Sequence, residues 1–143
     1  GSRSVTRYVV DASVAVKWFV PEELTDEALS VLDDDHELLV PDLLWPEFGN
    51  ILWKKARRGE LVVDEVSEIL SLCREVPLEV VDSGSLIESA IQIALEMDRT
   101  VYDSVYLALA VERDCVMVTA DRRLVNAIQT SSCGRFVIDL ADT

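Results

Sequence analysis

Short β-rich runs and helical runs take turns along the whole of this chain, and that alternation limits its fold more than any other feature. Runs dominated by Val, Leu, Ile and aromatic residues predict strands over Arg7–Val10, Glu37–Val40, Leu78–Val81, Cys115–Thr119 and Phe136–Ile138. Between them, helical periodicity predicts helices over Ser13–Phe19, Thr25–Leu32, Asp42–Arg58 closed by Gly59, Asp64–Glu75, Ser85–Met97, Tyr102–Arg113 and Arg122–Gln129. This order predicts an α/β fold, a three-layer α/β/α sandwich around a mostly parallel five-stranded sheet. In such sheets ligands bind outside the carboxyl ends of the strands.

No repeat, low-complexity tract or long linker breaks the pattern, and 143 residues at 50% apolar content suit one core. A single domain over residues 1–143 is expected. Gly1 and Ser2, without an initiator Met, read as a tag remnant, and no apolar leader follows them. Apolar runs such as Tyr8 to Val10 and Cys115 to Val118 fall far short of the ~20 residues of a membrane span, so the expected location is the cytoplasm, with no membrane partner. Cys73, Cys115 and Cys133 are odd in number and widely spaced, which fits reduced thiols rather than disulfides or a zinc site.

The net charge of −14 argues against holding nucleic acid by a broad basic surface. Any such role must be local, and one local basic cluster exists, Lys54-Lys55-Ala56-Arg57-Arg58. An acidic excess also suits a basic partner.

Most of the 27 acidic residues lie in polar segments such as Asp33-Asp34-Asp35, where a solvated surface explains them. Four do not. Asp11 follows the strand YVV, Asp121 follows CVMVT, Glu47 sits in LLWPEFGNIL and Asp103 in TVYDSVYLALA, each a lone carboxylate in an apolar neighbourhood. Taken singly, each is near a helix start, where an acid caps backbone N–H groups or complements the helix dipole. Taken together, Asp11 and Asp121 leave the same edge of a parallel sheet, where the helices carrying the other two also begin. Four anions brought that close repel one another unless a cation lies among them.

A carboxylate-only set, without His or Cys, suits a hard divalent ion, Mg²⁺ or Mn²⁺. Such an ion commonly keeps waters and is completed by substrate phosphates, which points to phosphoryl chemistry without a compulsory side-chain base. The lone His36, between Asp35 and Glu37, reads as a surface residue, so a ribonuclease that pairs two histidines is excluded.

VVDASVAVKWF, PEFGNIL, YDSVYLALA and VTADRRL, in that order and at these separations, resemble the PIN-domain nucleases, most closely the VapC toxins of toxin–antitoxin pairs. The resemblance runs from about Tyr8 to Ile138. It implies a parallel-sheet α/β/α fold, Mg²⁺- or Mn²⁺-dependent cleavage of RNA, a homodimer and a VapB-type antitoxin partner. Related domains with the same quartet serve other RNA-processing roles without an antitoxin. Matched position by position, the family's acidic quartet falls on Asp11, Glu47, Asp103 and Asp121, its small hydroxyl residue on Ser13 and its T-x-D threonine on Thr119.

Supporting residues have two readings each. Ser13 and Thr119 either hold carboxylates or metal waters, or are ordinary choices near a helix start and in a strand. Asn50, three after Glu47, shares its face and either orients it or binds a phosphate. Lys54 and Arg58, at seven and eleven after Glu47, either lead RNA toward the metal or complement a helix end. Tyr102, Tyr106, Trp45 and Trp53 either stack on bases or belong to core and interface.

Rival folds fit less well. A phosphoacceptor receiver domain wants an adjacent acidic pair after its first strand and a lysine after its last, and no lysine follows Lys55. A haloacid-dehalogenase-like phosphatase wants D-x-D where position 13 is Ser, and none of the five glycines forms a nucleotide-binding turn. A non-catalytic interaction protein would have no need of the intact quartet.

Overall fold

The computed structural model describes residues 5–143, so the reading of Gly1 and Ser2 as a tag remnant lies outside the described residues. Five strands, β1 (Thr6–Val10), β2 (His36–Pro41), β3 (Leu78–Val81), β4 (Val116–Thr119) and β5 (Val137–Asp139), form one sheet in the order β3-β2-β1-β4-β5. Every pairing is parallel, with Val9 opposite both Leu39 and Met117 and Val10 opposite Val118.

The helices are α1 (Ala12–Ala15), α2 (Thr25–Val31), α3 (Leu44–Arg57), α4 (Val63–Glu75), α5 (Ile87–Met97), α6 (Val101–Arg113) and α7 (Arg122–Gln129). The chain winds outward through β2 and β3, then returns past β1 to β4, so the crossovers change face. Strand alternation divides the core accordingly. Val9, Leu39, Met117 and Val137 pack with α5, α6 and α7, while Val10, Leu38, Val40 and Val118 pack with α1 to α4. Two apolar layers result, as the sandwich requires. No helix among the described residues is long and apolar enough to cross a membrane, and Cys73, Cys115 and Cys133 are free thiols.

Three predicted helices begin or continue differently. The expected Ser13–Phe19 helix is one α turn followed by a 3₁₀ turn, Val16–Trp18. Tertiary partners draw it out of register: the Trp18 indole N–H donates to the Ala28 carbonyl at 2.9 Å, and Phe19 meets Phe48 edge-on at 6.2 Å. Helix α3 starts at Leu44 rather than Asp42, because Asp42 instead accepts from the Ser83 amide and the Leu43 amide donates to Ser83 Oγ. Ahead of α5 a 3₁₀ turn, Ser83–Leu86, forms under an Asp82 cap. The other boundaries agree within one residue. Gly59, at φ +78°, ends α3 in the left-handed conformation that glycine adopts without steric cost.

Candidate active site

The reversal of strand order between β1 and β4 opens a crevice at their carboxyl ends. A cavity of about 430 Å³ occupies it, lined by Asp11, Ser13, Glu47, Asn50, Asp103, Tyr106 and Asp121 among others. Asp11 and Asp121 follow β1 and β4 directly; Glu47 and Asp103 stand in the first turns of α3 and α6. Four separate elements therefore deliver the four lone carboxylates to one space.

Asp11 is the most constrained of them. It is buried, and its two oxygens accept from different hydroxyls, Oδ1 from Ser13 Oγ at 2.6 Å and Oδ2 from Thr119 Oγ1 at 2.5 Å. Both hydroxyls also accept from the loop that carries Asp121: the Ala120 amide donates to Ser13 Oγ, and the Asp121 amide to Thr119 Oγ1. The ends of β1 and β4 are thereby tied through side chains. Ser13 and Thr119 are holders of a carboxylate in this structure. Asp11 also accepts from the Val14 amide at 3.2 Å, and Asp121 accepts from the Arg123 and Leu124 amides. Helix capping and site geometry use the same two residues.

Asp103 sits above its own cap: Thr100 Oγ1 accepts from the Asp103 amide at 3.1 Å, fixing the start of α6. The neighbouring Arg99 donates at 2.7 Å to the carbonyl of Arg123, whose amide holds Asp121. The dipeptide Arg99-Thr100 thus joins the supports of Asp103 and Asp121.

The carboxylates perturb one another. Burial holds Asp11 above the ordinary carboxylate range, opposed by the Ser13, Thr119 and Val14 donors, and the charge of Asp121 pushes it further. Burial likewise raises Glu47, opposed by the Tyr106 hydroxyl, with the charges of Asp11 and Asp103 adding to the rise. Asp103 is raised by burial and by Asp121, against the pull of the Arg99 guanidinium. Tyr106, beneath them on α6, is raised by burial and by the Glu47 charge and stays protonated at neutral pH. Among the described residues its buried hydroxyl meets no well-aligned acceptor, yet it stands close enough to Glu47 to act on it as a donor and pull that carboxyl down.

Among the described residues, no three His, Cys, Asp or Glu side chains close on a point as a finished ion cage. The acids line a cavity instead. The donor set nonetheless fits a hard divalent ion: no His or Cys lines the cavity, and carboxylate oxygens are the preferred ligands of Mg²⁺ and Mn²⁺.

A family model for the PIN domain matches residues 8–128. The chain belongs to the PIN domain family. Ribonuclease VapC3 of Pyrobaculum aerophilum is 38% identical to this PIN domain over 120 residues, covering 82% of this chain and 92% of that protein. The crystal structure of PAE2754, also from Pyrobaculum aerophilum, superposes with a TM-score of 0.71 at 26% identity, over 96% of this chain and 85% of that one. VapBC2 of Rickettsia felis, bound to a DNA fragment from its promoter, matches with a TM-score of 0.65 at 10% identity, over 94% and 98% of the two chains. That last likeness concerns the fold alone. Within the family this PIN domain is most like the VapC proteins.

The other predicted site residues divide. Asn50 is exposed and lines the cavity beside Glu47. Lys54 and Arg58 are exposed and lie further along α3, outside the cavity lining; Lys55 of the same cluster is paired with Glu22 at 2.8 Å. Tyr102 is exposed at the cavity rim, whereas Trp45 and Trp53 carry Arg74 and Arg57 over their rings. His36, read as a surface residue, is half-buried and opens β2, with its ring edge-on to Tyr8. The sequence reading did not single out Arg99 and Thr100, and it took Tyr106 only as an aromatic. For Tyr106 a signal existed, since a residue three after Asp103 shares its helix face.

Proposed function

We propose that the protein is an endoribonuclease of the VapC type, which hydrolyses RNA phosphodiester bonds with Mg²⁺ or Mn²⁺ held by Asp11, Glu47, Asp103 and Asp121. The convergence of four otherwise unpaired carboxylates in one cavity at the strand-order reversal carries this reading. The kinship with ribonuclease VapC3 supports it. When bound, such an ion supplies polarisation of a phosphoryl oxygen and acidification of water.

The chain's own residues do the rest. Ser13 and Thr119 hold both oxygens of Asp11, so that its carboxylate cannot swing away from the cavity. The amides of α7 hold Asp121. Asn50 orients Glu47 or receives a phosphate at the rim, and Lys54 and Arg58 guide the RNA backbone along α3 toward the acids. No histidine lines the cavity to take a proton from a 2′-hydroxyl. Water is therefore the nucleophile, and the products carry a 5′-phosphate and a 3′-hydroxyl.

Residues 1–143 act as one cytoplasmic domain in a homodimer, restrained by a VapB-type antitoxin. An antitoxin arginine fits the cleft, because a guanidinium pairs bidentately with carboxylates. Incubation of purified protein with structured and unstructured RNAs in Mg²⁺, Mn²⁺ or EDTA tests the reaction. Cleavage that EDTA abolishes, leaving 5′-phosphate ends, is the expected result; cleavage in EDTA, or 2′,3′-cyclic phosphate ends, would refute it.

A further inference from the structure

Glu47 differs from the other acid with a half-buried side chain and from the two helix caps in its surroundings. Asp11 has three donors and Asp121 two backbone amides, and Asp103 rides on a helix start pinned by Thr100. Glu47 has a longer, more flexible side chain, and the donor near enough to lower its carboxyl is the Tyr106 hydroxyl. Beside it, lining the same cavity, is the Tyr106 hydroxyl, itself buried and without a partner. A buried hydroxyl left unsatisfied is destabilising, and native structures rarely keep one without a use. The ring of Tyr106 is 2% exposed, so packing in the α5–α6–α7 layer fixes its direction. The Glu47 carboxylate feels the charges of Asp11 and Asp103 as well as the Tyr106 hydroxyl, and a cation in the cavity would relieve the like-charge repulsion.

We propose that Tyr106 is a positioning residue for Glu47: with a divalent cation in the acidic cavity, its buried O–H donates to one Glu47 oxygen and leaves the other directed at the cation. The inference rests on the metal-dependent reading of the site and adds to it a fifth, non-acidic member. Tyr106 touches neither RNA nor cation on this account. Its hydroxyl selects one Glu47 rotamer, which a flexible glutamate would otherwise occupy only part of the time.

Tyr106→Phe removes the hydroxyl and keeps the ring. Without metal, the variant should melt at the wild-type temperature or above, since an unsatisfied group has been deleted. Its Mn²⁺ dissociation constant, measured by calorimetry without RNA, should rise about tenfold. With RNA and limiting Mn²⁺, kcat should fall while KM holds, and excess Mn²⁺ should restore most of the rate. Glu47→Gln weakens Mn²⁺ binding by itself, and adding Tyr106→Phe to it should cost little more, because the hydroxyl acts through Glu47.

A lower melting temperature for metal-free Tyr106→Phe would mean that the hydroxyl is already satisfied, and would overturn the inference. So would an unchanged Mn²⁺ affinity, or an equal further loss in the Glu47→Gln background. A raised KM with unchanged Mn²⁺ affinity would make Tyr106 an RNA contact instead. If the wild type binds no Mn²⁺ at all, the metal-dependent reading fails and this inference with it; if the wild type binds and Tyr106→Phe binds equally, only this inference fails.

Discussion

Acids toward the amino ends of the strands and the four acids of the cleft sit in different surroundings. Toward the amino ends of the strands three acids each have a cation: Glu37 meets Arg7 at 2.9 Å, Glu79 meets Arg113 at 2.7 Å and Asp114 meets Arg135 at 3.6 Å. At the carboxyl ends, Asp11, Glu47, Asp103 and Asp121 share one cavity, and none of them has an ion pair among the described residues. Even Glu22, not far along the chain, lies between Lys17 and Lys55, which hold its carboxyl below the usual range. Asp11, Glu47 and Asp103 are instead raised. Several acids outside the cleft stand beside a cation of the chain, whereas the quartet converges on one cavity without one among the described residues, as the proposed metal site requires.

The largest effect should come from breaking the quartet itself. Asp11→Asn should lower RNA cleavage by a hundredfold or more at equal folding, since even outer partners of metal ligands cost about 10–100-fold. A cleavage assay on the folded variant, checked by circular dichroism, reads this directly. Next comes Thr119→Val, which keeps the shape of a buried strand residue and removes a donor to Asp11. Mn²⁺ affinity should fall about 10–100-fold by calorimetry. A wild-type affinity would mean that Ser13 and Val14 suffice to hold Asp11.

Acidification separates the two treatments of charge. Asp11, Glu47 and Asp103 have folded pKa values above their unfolded ones, so what they contribute to stability is present at low pH and is lost as pH rises through the raised values. Glu22 has the opposite sign: its contribution is present above the unfolded value and is lost as pH falls through the lowered one. Metal-free protein should therefore gain melting temperature as pH drops from neutral toward the upper carboxylate range, then lose it at lower pH. Asp103→Asn should flatten the gain, and Glu22→Gln the loss.

The smallest effect belongs to the compensated end. Arg113→Gln breaks an exposed pair with Glu79, worth less than about 1 kcal/mol. Cleavage should stay at the wild-type rate, and denaturant melts should show the small loss.

Much of this was legible in the sequence because the determinants are local. A strand run followed by a lone Asp fixes both an element and its end, so Asp11 and Asp121 could be read from a few residues each. Glu47 and Asp103 stood out as single charges in apolar helices. What escaped depends on tertiary approach. The short helix α1 turns to 3₁₀ geometry where Trp18 reaches Ala28, a partner that no local period reveals. Arg99 gains its place from the Arg123 carbonyl of another helix, and the burial that orphans the Tyr106 hydroxyl comes from three packed helices.

The central claim is that the crowded carboxylates are arranged for a cation, and melting curves of the wild type and Asp103→Asn with and without Mn²⁺ test it most directly. Without metal, Asp103→Asn should melt at the same temperature or higher, because one of four repelling anions is gone. Added Mn²⁺ should raise the wild-type melting temperature by mass action and that of the variant far less. Equal Mn²⁺-induced shifts in the two proteins, or a metal-free Asp103→Asn that melts well below the wild type, would contradict the account and leave Asp103 as a helix-end acid.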